Sequence, residues 1–123
     1  MSISPADLLA YSETLTASDE LTRRNAVGRS YYAAYHTAEI WHEALVTHGV
    51  APAGLGMHSS LIAALKNPSV SGAKRIRSMS LGYTLEIMKA LRKTSDYKLN
   101  CNVPDTDVNQ SIANARIILA KAV

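Results

Sequence analysis

Within GRSYYAAYHTAEIW, residues 28 to 41, an arginine and a histidine stand seven positions apart, Arg29 and His36. A guanidinium presents paired donors that match phosphate oxygens, and an imidazole gains or loses a proton near neutral pH. The pair therefore combines an anion-binding group with a proton-moving one. Seven residues is close to two helical turns, so both side chains fall on one side of a helix with Tyr32 between them. Their Cα atoms are then roughly 10 Å apart along the axis, too far for one phosphate to be gripped by both within one chain. Two copies of the helix packed antiparallel about a twofold axis would bring the arginine of one chain to the histidine of the other.

The helix that carries them has a clear inner side. At 100° per residue, Val27, Tyr31, Ala34, Ala38, Trp41 and Leu45 form one stripe, the expected core seam. Arg29, Tyr32, Ala33, His36, Ile40 and Glu43 cluster opposite, where a lone surface helix is uniformly polar. Tyr32, Ala33 and Ile40 there predict a second contact surface, most simply a symmetric homodimer formed through this helix.

The rest of the chain reads as helices, with no convincing period-two alternation. Ser4 and Pro5 predict an N-cap and first turn for a helix to about Thr16. Ser18, Asp19 and Glu20 open the long helix just described, which is expected to run to His48 and stop at Gly49. A third helix is predicted over MHSSLIAALKN, ended by Asn67 and Pro68, and a fourth that starts after Ser71 and Gly72 and continues to about Thr94. The fourth carries two apolar rows, Ile76, Met79, Tyr83, Ile87 and Ala90 on one face and Leu81, Leu85 and Met88 on another. After the connector DYKLNCNVPDTD, Pro104 and Asp105 precede a last helix bearing Val108, Ile112, Ala115 and Leu119. The expected fold class is all-α, an antiparallel bundle of four to five helices occupying residues 1–123 as one domain.

Composition sets outer limits. A hydrophobic content of 47% supplies a core, and 13 basic against 10 acidic residues permits a polyanionic partner without demonstrating one. The single cysteine, Cys101, rules out an internal disulfide and a Cys-rich zinc site. The uncharged run from Ala44 to Leu65 is broken by Pro52 and three glycines, so it predicts a loop and a helix start rather than a membrane span. The N-terminal MSISPADLL has neither the basic nor the apolar region of a secretory signal, and the expected location is the cytoplasm. Glu39 and His42 have the spacing seen in di-iron bundles but stand alone, so no metal and no cofactor are expected.

The combination of residues resembles a known family. GRSYYAAYHTAEIW is similar to the motif helix of HEPN domains, GMHSSLIAAL to their His-Ser segment opening the third helix, and LRKTSDYKLN to their Arg-x-x-x-Asp-Tyr element. The final helix, SIANARIILAKAV, completes the order. The resemblance implies an α-helical bundle that dimerises through the motif helix. It implies a metal-independent endoribonuclease, the toxin of a toxin–antitoxin or phage-defence module. Carried onto this chain, the catalytic pair is Arg29 and His36, with Ser30 at the polar position where many relatives have Asn, Asp or His. Some such toxins are silenced by a nucleotidyltransferase antitoxin that modifies a tyrosine two residues beyond the histidine; here that position is Ala38.

The implied reaction uses the ribose 2′-OH as nucleophile, histidine for proton transfer and arginine for the charge of the phosphorane, and leaves a 2′,3′-cyclic phosphate. Lys74, Arg75 and Arg77, from the KRIR run, are candidate contacts to RNA phosphates and equally a solvated helix start. Plainer roles stand beside the catalytic ones. His36 bonds across an interface, Arg29 pairs with Glu43 or a partner's acid, His48 and His58 are structural, and Asp96 or Tyr97 anchors the end of the fourth helix. At the level of function, the alternative is a catalytically inactive HEPN module that binds RNA or a cognate partner protein.

Overall fold

Local capping chemistry sets where the helices begin. The Ser4 hydroxyl accepts from the Asp7 amide at 3.2 Å while the Asp7 carboxylate accepts from the Ser4 amide at 2.8 Å, and Pro5 supplies a first turn that needs no donor. Asp19 accepts from the Thr22 amide at 2.7 Å and starts the long helix. The computed structural model describes residues 2–15 and 19–123. It contains α1 (Pro5–Thr14), α2 (Glu20–Glu43), α3 (Met57–Lys66), α4 (Gly72–Tyr97) and α5 (Asp105–Lys121), with no strand among the described residues. The fold is therefore all-α. The expected reach of α1 to Thr16 and the capping role of Ser18 lie outside the described residues.

α2 ends at Glu43 rather than at His48. Two imidazoles take over where the helix stops: His48 Nε2 donates to the Glu43 carbonyl at 3.2 Å, and the Gly49 amide donates to His42 Nε2 at 3.1 Å. Gly49 then passes so close to α3 that a Cβ there would lie 1.8 Å from the Ala64 carbonyl oxygen. The glycine serves that close approach, not a helix cap.

α2 packs against all four other helices. Its seam behaves as the periodicity requires: Val27, Tyr31, Ala34, Ala38 and Leu45 are buried, and Trp41 packs against the core. Leu65 of α3, Leu81, Leu85 and Met88 of α4 and Ile118 of α5 close around Tyr31 and the alanines. α3 and α4 run antiparallel, with Ser59 meeting Lys89 at one end and Leu65 lying over Gly82 at the other. A Cβ on Gly82 would sit 2.8 Å from Lys66 Cγ and 3.0 Å from Leu65 Cβ, so the small residue permits this contact.

Of the two apolar rows on α4, only Leu81, Leu85 and Met88 are buried. Ile76 is 72% exposed, and Tyr83, Ile87 and Ala90 also face outward. A helix at the margin of the bundle has neighbours on one side only, and α2 and α3 take the Leu81 side. Asp96 and Tyr97, expected in a connector, form the last turn of α4.

The end of α4 is held by a group the periodicity did not single out. Arg24 is 8% exposed and its guanidinium donates to the carbonyls of Thr94 at 3.1 Å, Ser95 at 2.9 Å and Lys98 at 3.2 Å, and also to that of Cys101. Its Nε donates to Glu20 Oε1 at 3.0 Å, which also accepts from the Val103 amide at 2.9 Å. Glu20 thus links the first turn of α2 to the chain that leads into α5. The Val103 amide, with Arg23 and Arg24, holds the Glu20 carboxyl below its ordinary range against the opposing effect of burial.

Replacing Arg24 by Ala removes four carbonyl contacts at once. Such charge-assisted bonds contribute about 1.5–3 kcal/mol, so the melting temperature is expected to drop by roughly 10 °C. A shift under 2 °C in a thermal melt would mean the carbonyls are equally well served by water. Glu20 adds a pH signature. Its depressed folded-state pKa stabilises the fold above the unfolded value of 4.5 and is lost as pH falls through the folded value. Urea midpoints at neutral pH and in acid are expected to fall further for the wild type than for Glu20→Gln.

Candidate functional site

Because α2 is surrounded, the side expected to face outward is narrower than helical periodicity implies. Five residues keep it open: Arg29, Tyr32 and His36, all partly buried, with Ile40, 58% exposed, and the exposed Glu43. Ala33, expected at a dimer interface, is fully buried with Leu9 of α1 and the rest of the core, so it has no surface to offer a partner. Ser30, expected to assist catalysis, is also fully buried. Its hydroxyl lies 2.7 Å from that of Ser111 on α5 and donates to the Val27 carbonyl at 3.0 Å. α1 and α5 cover these positions, and that coverage cannot be read from one helix's own periodicity.

Tyr32 is the centre of the open strip. The Arg29 guanidinium carbon lies 5.3 Å from its ring centroid and that of Arg92, from α4, lies 5.4 Å from it. Arg92 Nη2 donates to the Tyr32 hydroxyl at 2.9 Å, and its Nε donates to Asp96 at 2.7 Å. Burial works against the charge on Arg92, but Tyr32, Asp96 and Tyr97 outweigh it and hold its pKa up. Arg92 of the Arg92-x-x-x-Asp96-Tyr97 element therefore braces α4 against the motif helix, and Asp96 orients its guanidinium. Tyr97 is 68% exposed and its hydroxyl is 3.5 Å from Arg92 Nη2, a marginal contact.

Arg29 makes no ion pair among the described residues, with Glu43 or any other acid. Its Nε is buried and has no hydrogen-bond partner. On the far side of Tyr32, the His36 ring stacks at 6.2 Å, and its Nδ1 lies 3.6 Å from Glu39 Oε1. Glu39 also accepts from the Tyr35 hydroxyl at 3.3 Å. Tyr35 is buried, and burial together with Glu39 pushes its hydroxyl up to about 12, so it remains a donor.

Arg29 and His36 open onto different clefts. Asn25, Gly28, Arg29, Asp96 and Leu99 line one of ≈ 270 Å³. Ile3, Pro5, Leu8, His36 and Ile40 line another of ≈ 270 Å³. With Tyr32 between them, the two groups share a face but not a cavity, as the two-turn spacing implies. Lys74, Arg75 and Arg77 are not part of this strip: Lys74 is roughly 27 Å along the α4 axis from Arg92. Arg75 donates to the Pro68 carbonyl and Arg77 to that of Val123.

A larger cavity, ≈ 490 Å³, is lined by Tyr35, Glu39, His42, Glu43 and His48. His42 Nε2 there is occupied by the Gly49 amide, and burial, with His48 beside it, pushes that imidazole below its ordinary range. No group of three His, Cys, Asp or Glu side chains among the described residues is placed to hold a metal ion. No helix among them is long and apolar enough to cross a membrane.

No family model, curated protein or solved structure matches this chain. Arg92, which the sequence offers only within its Asp-Tyr element, and His58, expected to be structural, both sit against Tyr32. The four-residue spacing of Arg92 and Asp96 was the available signal for a paired, oriented guanidinium.

Tyr32→Phe removes the hydroxyl that accepts from Arg92 and is expected to lower stability by about 1 kcal/mol. Tyr97→Phe, at an exposed and marginal contact, is expected to stay within about 0.5 kcal/mol of wild type. Urea denaturation of the two variants checks the order; the reverse order would transfer the bracing role to Tyr97.

Proposed function

We propose that this chain is a metal-independent endoribonuclease of HEPN type, acting as a homodimer in which Arg29 of one protomer and His36 of the other serve one phosphate. The observation that carries the reading is the accessible strip of α2: an unpaired Arg29, Tyr32 and a partly exposed His36 on one face, with the braced Arg92 alongside. Arg29 is positioned by the Tyr32 ring yet keeps its charge uncompensated by any carboxylate, as an anion-binding guanidinium requires. His36 touches Glu39 and the open cleft, which suits proton transfer. The exposed Ile40 and the rim of Tyr32 supply apolar area for the partner helix.

In this reaction the 2′-oxygen of the substrate attacks phosphorus as its proton leaves to a base. The P–O5′ bond breaks, and the departing oxygen takes up a proton. His36 serves these proton transfers, and the arginines hold the charge on the non-bridging oxygens. Products are a 2′,3′-cyclic phosphate and a 5′-hydroxyl, and DNA, lacking the nucleophile, is not cut. The biological role that goes with this chemistry is a toxin or phage-defence effector restrained by a cognate antitoxin, a nucleotidyltransferase among the candidates.

One observation favours the second reading, an inactive HEPN module that binds RNA or a partner protein. Ser30 is locked against Ser111, so the polar position following the arginine faces the bundle and not the strip.

Purified wild type is expected to cleave RNA in EDTA, while Arg29→Ala and His36→Ala fold and dimerise but lose ~10²–10⁴-fold in rate. A His36→Ala protein that cleaves like wild type would refute the assignment. Light scattering is expected to give a dimer for wild type and a monomer for Ile40→Asp. Induction that slows growth only when both residues are intact separates the toxin from the binding module.

A further inference from the structure

We propose that His58 is a third substrate-contacting residue of this strip, a neutral imidazole whose Nε2–H binds a non-bridging phosphate oxygen of the RNA. The inference rests on the RNA reading of the strip and extends it to a residue from another helix. His58 stands in the first turn of α3, and its ring stacks on Tyr35 at 4.1 Å and lies near-parallel to Tyr31 at 5.6 Å, with the edge of Tyr32 5.9 Å away. Three aromatic rings therefore fix its plane. His58 Nδ1 is 2.7 Å from the Tyr31 hydroxyl.

That inner bond decides which nitrogen carries the proton. Burial raises the pKa of Tyr31, so its hydroxyl stays protonated, and His58 Nδ1 is its hydrogen-bond partner among the described residues. The hydroxyl of the fully buried Tyr31 has no other acceptor for its hydrogen among the described residues, which favours donation inward to Nδ1 and leaves the imidazole proton on Nε2. Nε2 makes no hydrogen bond among the described residues. The one buried side-chain nitrogen or oxygen there without a partner is Arg29 Nε, so Nε2 is a donor that solvent reaches.

The surroundings favour an anion at that donor. From α4 come Arg92 and Lys89, from α2 come His36 and the single opposing carboxylate, Glu39. Burial, then Arg92, Lys89 and His36, push the His58 imidazole below its ordinary range, so it is neutral at neutral pH and costs no buried charge. A neutral donor among cations binds a phosphate oxygen without adding to their mutual repulsion.

The test uses a short RNA with 2′-O-methyl riboses, which can bind but lacks the nucleophile for cleavage. It is titrated into wild type, His58→Asn and His58→Gln, with binding read by fluorescence anisotropy and the wild-type imidazoles by 15N NMR. Asn keeps an acceptor for Tyr31 but cannot reach outward, whereas Gln can place an amide donor near the Nε2 position. Free wild type is expected to show His58 as the neutral Nε2–H tautomer, and the RNA is expected to shift that nitrogen. His58→Asn is expected to melt near wild type and bind about tenfold more weakly, with Gln restoring most of the loss. An Nδ1–H tautomer, an unmoved Nε2, an RNA that does not bind wild type, or Asn binding like wild type each overturns the inference. If Asn fails to fold, the NMR shift and the Gln variant still decide it. Binding through His58 with unmodified RNA left intact removes the nuclease reading alone. Cleavage undiminished in His58→Asn removes the His58 inference alone.

Discussion

One buried guanidinium gathers carbonyls from the last turn of α4 and from the chain just beyond it. Arg24 reaches from the first turns of α2 to Thr94, Ser95, Lys98 and Cys101, while Glu20 holds the same guanidinium and the Val103 amide. A planar cation with five donors can meet several carbonyls that diverge at a helix end, which a lysine's point charge cannot match. This contact sets the register between α2 and α4. It also fixes where the chain leaves α4 and hence where α5 begins.

The candidate site depends on that register. With α4 held at its end, Arg92 arrives beside Tyr32 and Asp96 lies next to Gly28, where a Cβ would be 3.6 Å from its carboxylate. Val103, fixed through Glu20 and Arg23, leads into α5, which brings Ser111 onto Ser30. The same constraint that stabilises the bundle thus closes one side of the motif helix and furnishes the other.

The electrostatic character of the strip comes from placement and not from net charge. A formal charge of +3 is modest, but Arg29, Arg92, Lys89 and His36 gather around two tyrosine rings and the neutral His58, with Glu39 and Asp96 as the nearby acids. Asp96 is consumed in orienting Arg92 and Glu39 in holding Tyr35 and His36. Aromatic faces position the cations without neutralising them, which leaves their charge available to an anion. The KRIR run, denser in charge along the chain, has two of its arginines bonded to backbone carbonyls instead.

Much of the fold was legible in the residues alone, because helix signals are local. Ser4, Asp19 and Gly72 marked starts, a 3.6-residue period placed Val27, Tyr31, Ala34 and Ala38 inward, and Arg29, Tyr32 and His36 were placed on one accessible face. Periodicity says which residues share a face but not how many neighbours a helix has. α2 has four, so Ser30 and Ala33 are buried; α4 lies at the margin, so Ile76, Tyr83 and Ile87 stay in water. Contacts between residues far apart in sequence, Arg24 with the end of α4 and His58 with Tyr31, exist only once the helices have packed. The sequence by itself determined the helices and the pair Arg29 and His36; tertiary packing decided which of their neighbours reach the surface and that Arg92 and His58 join them there.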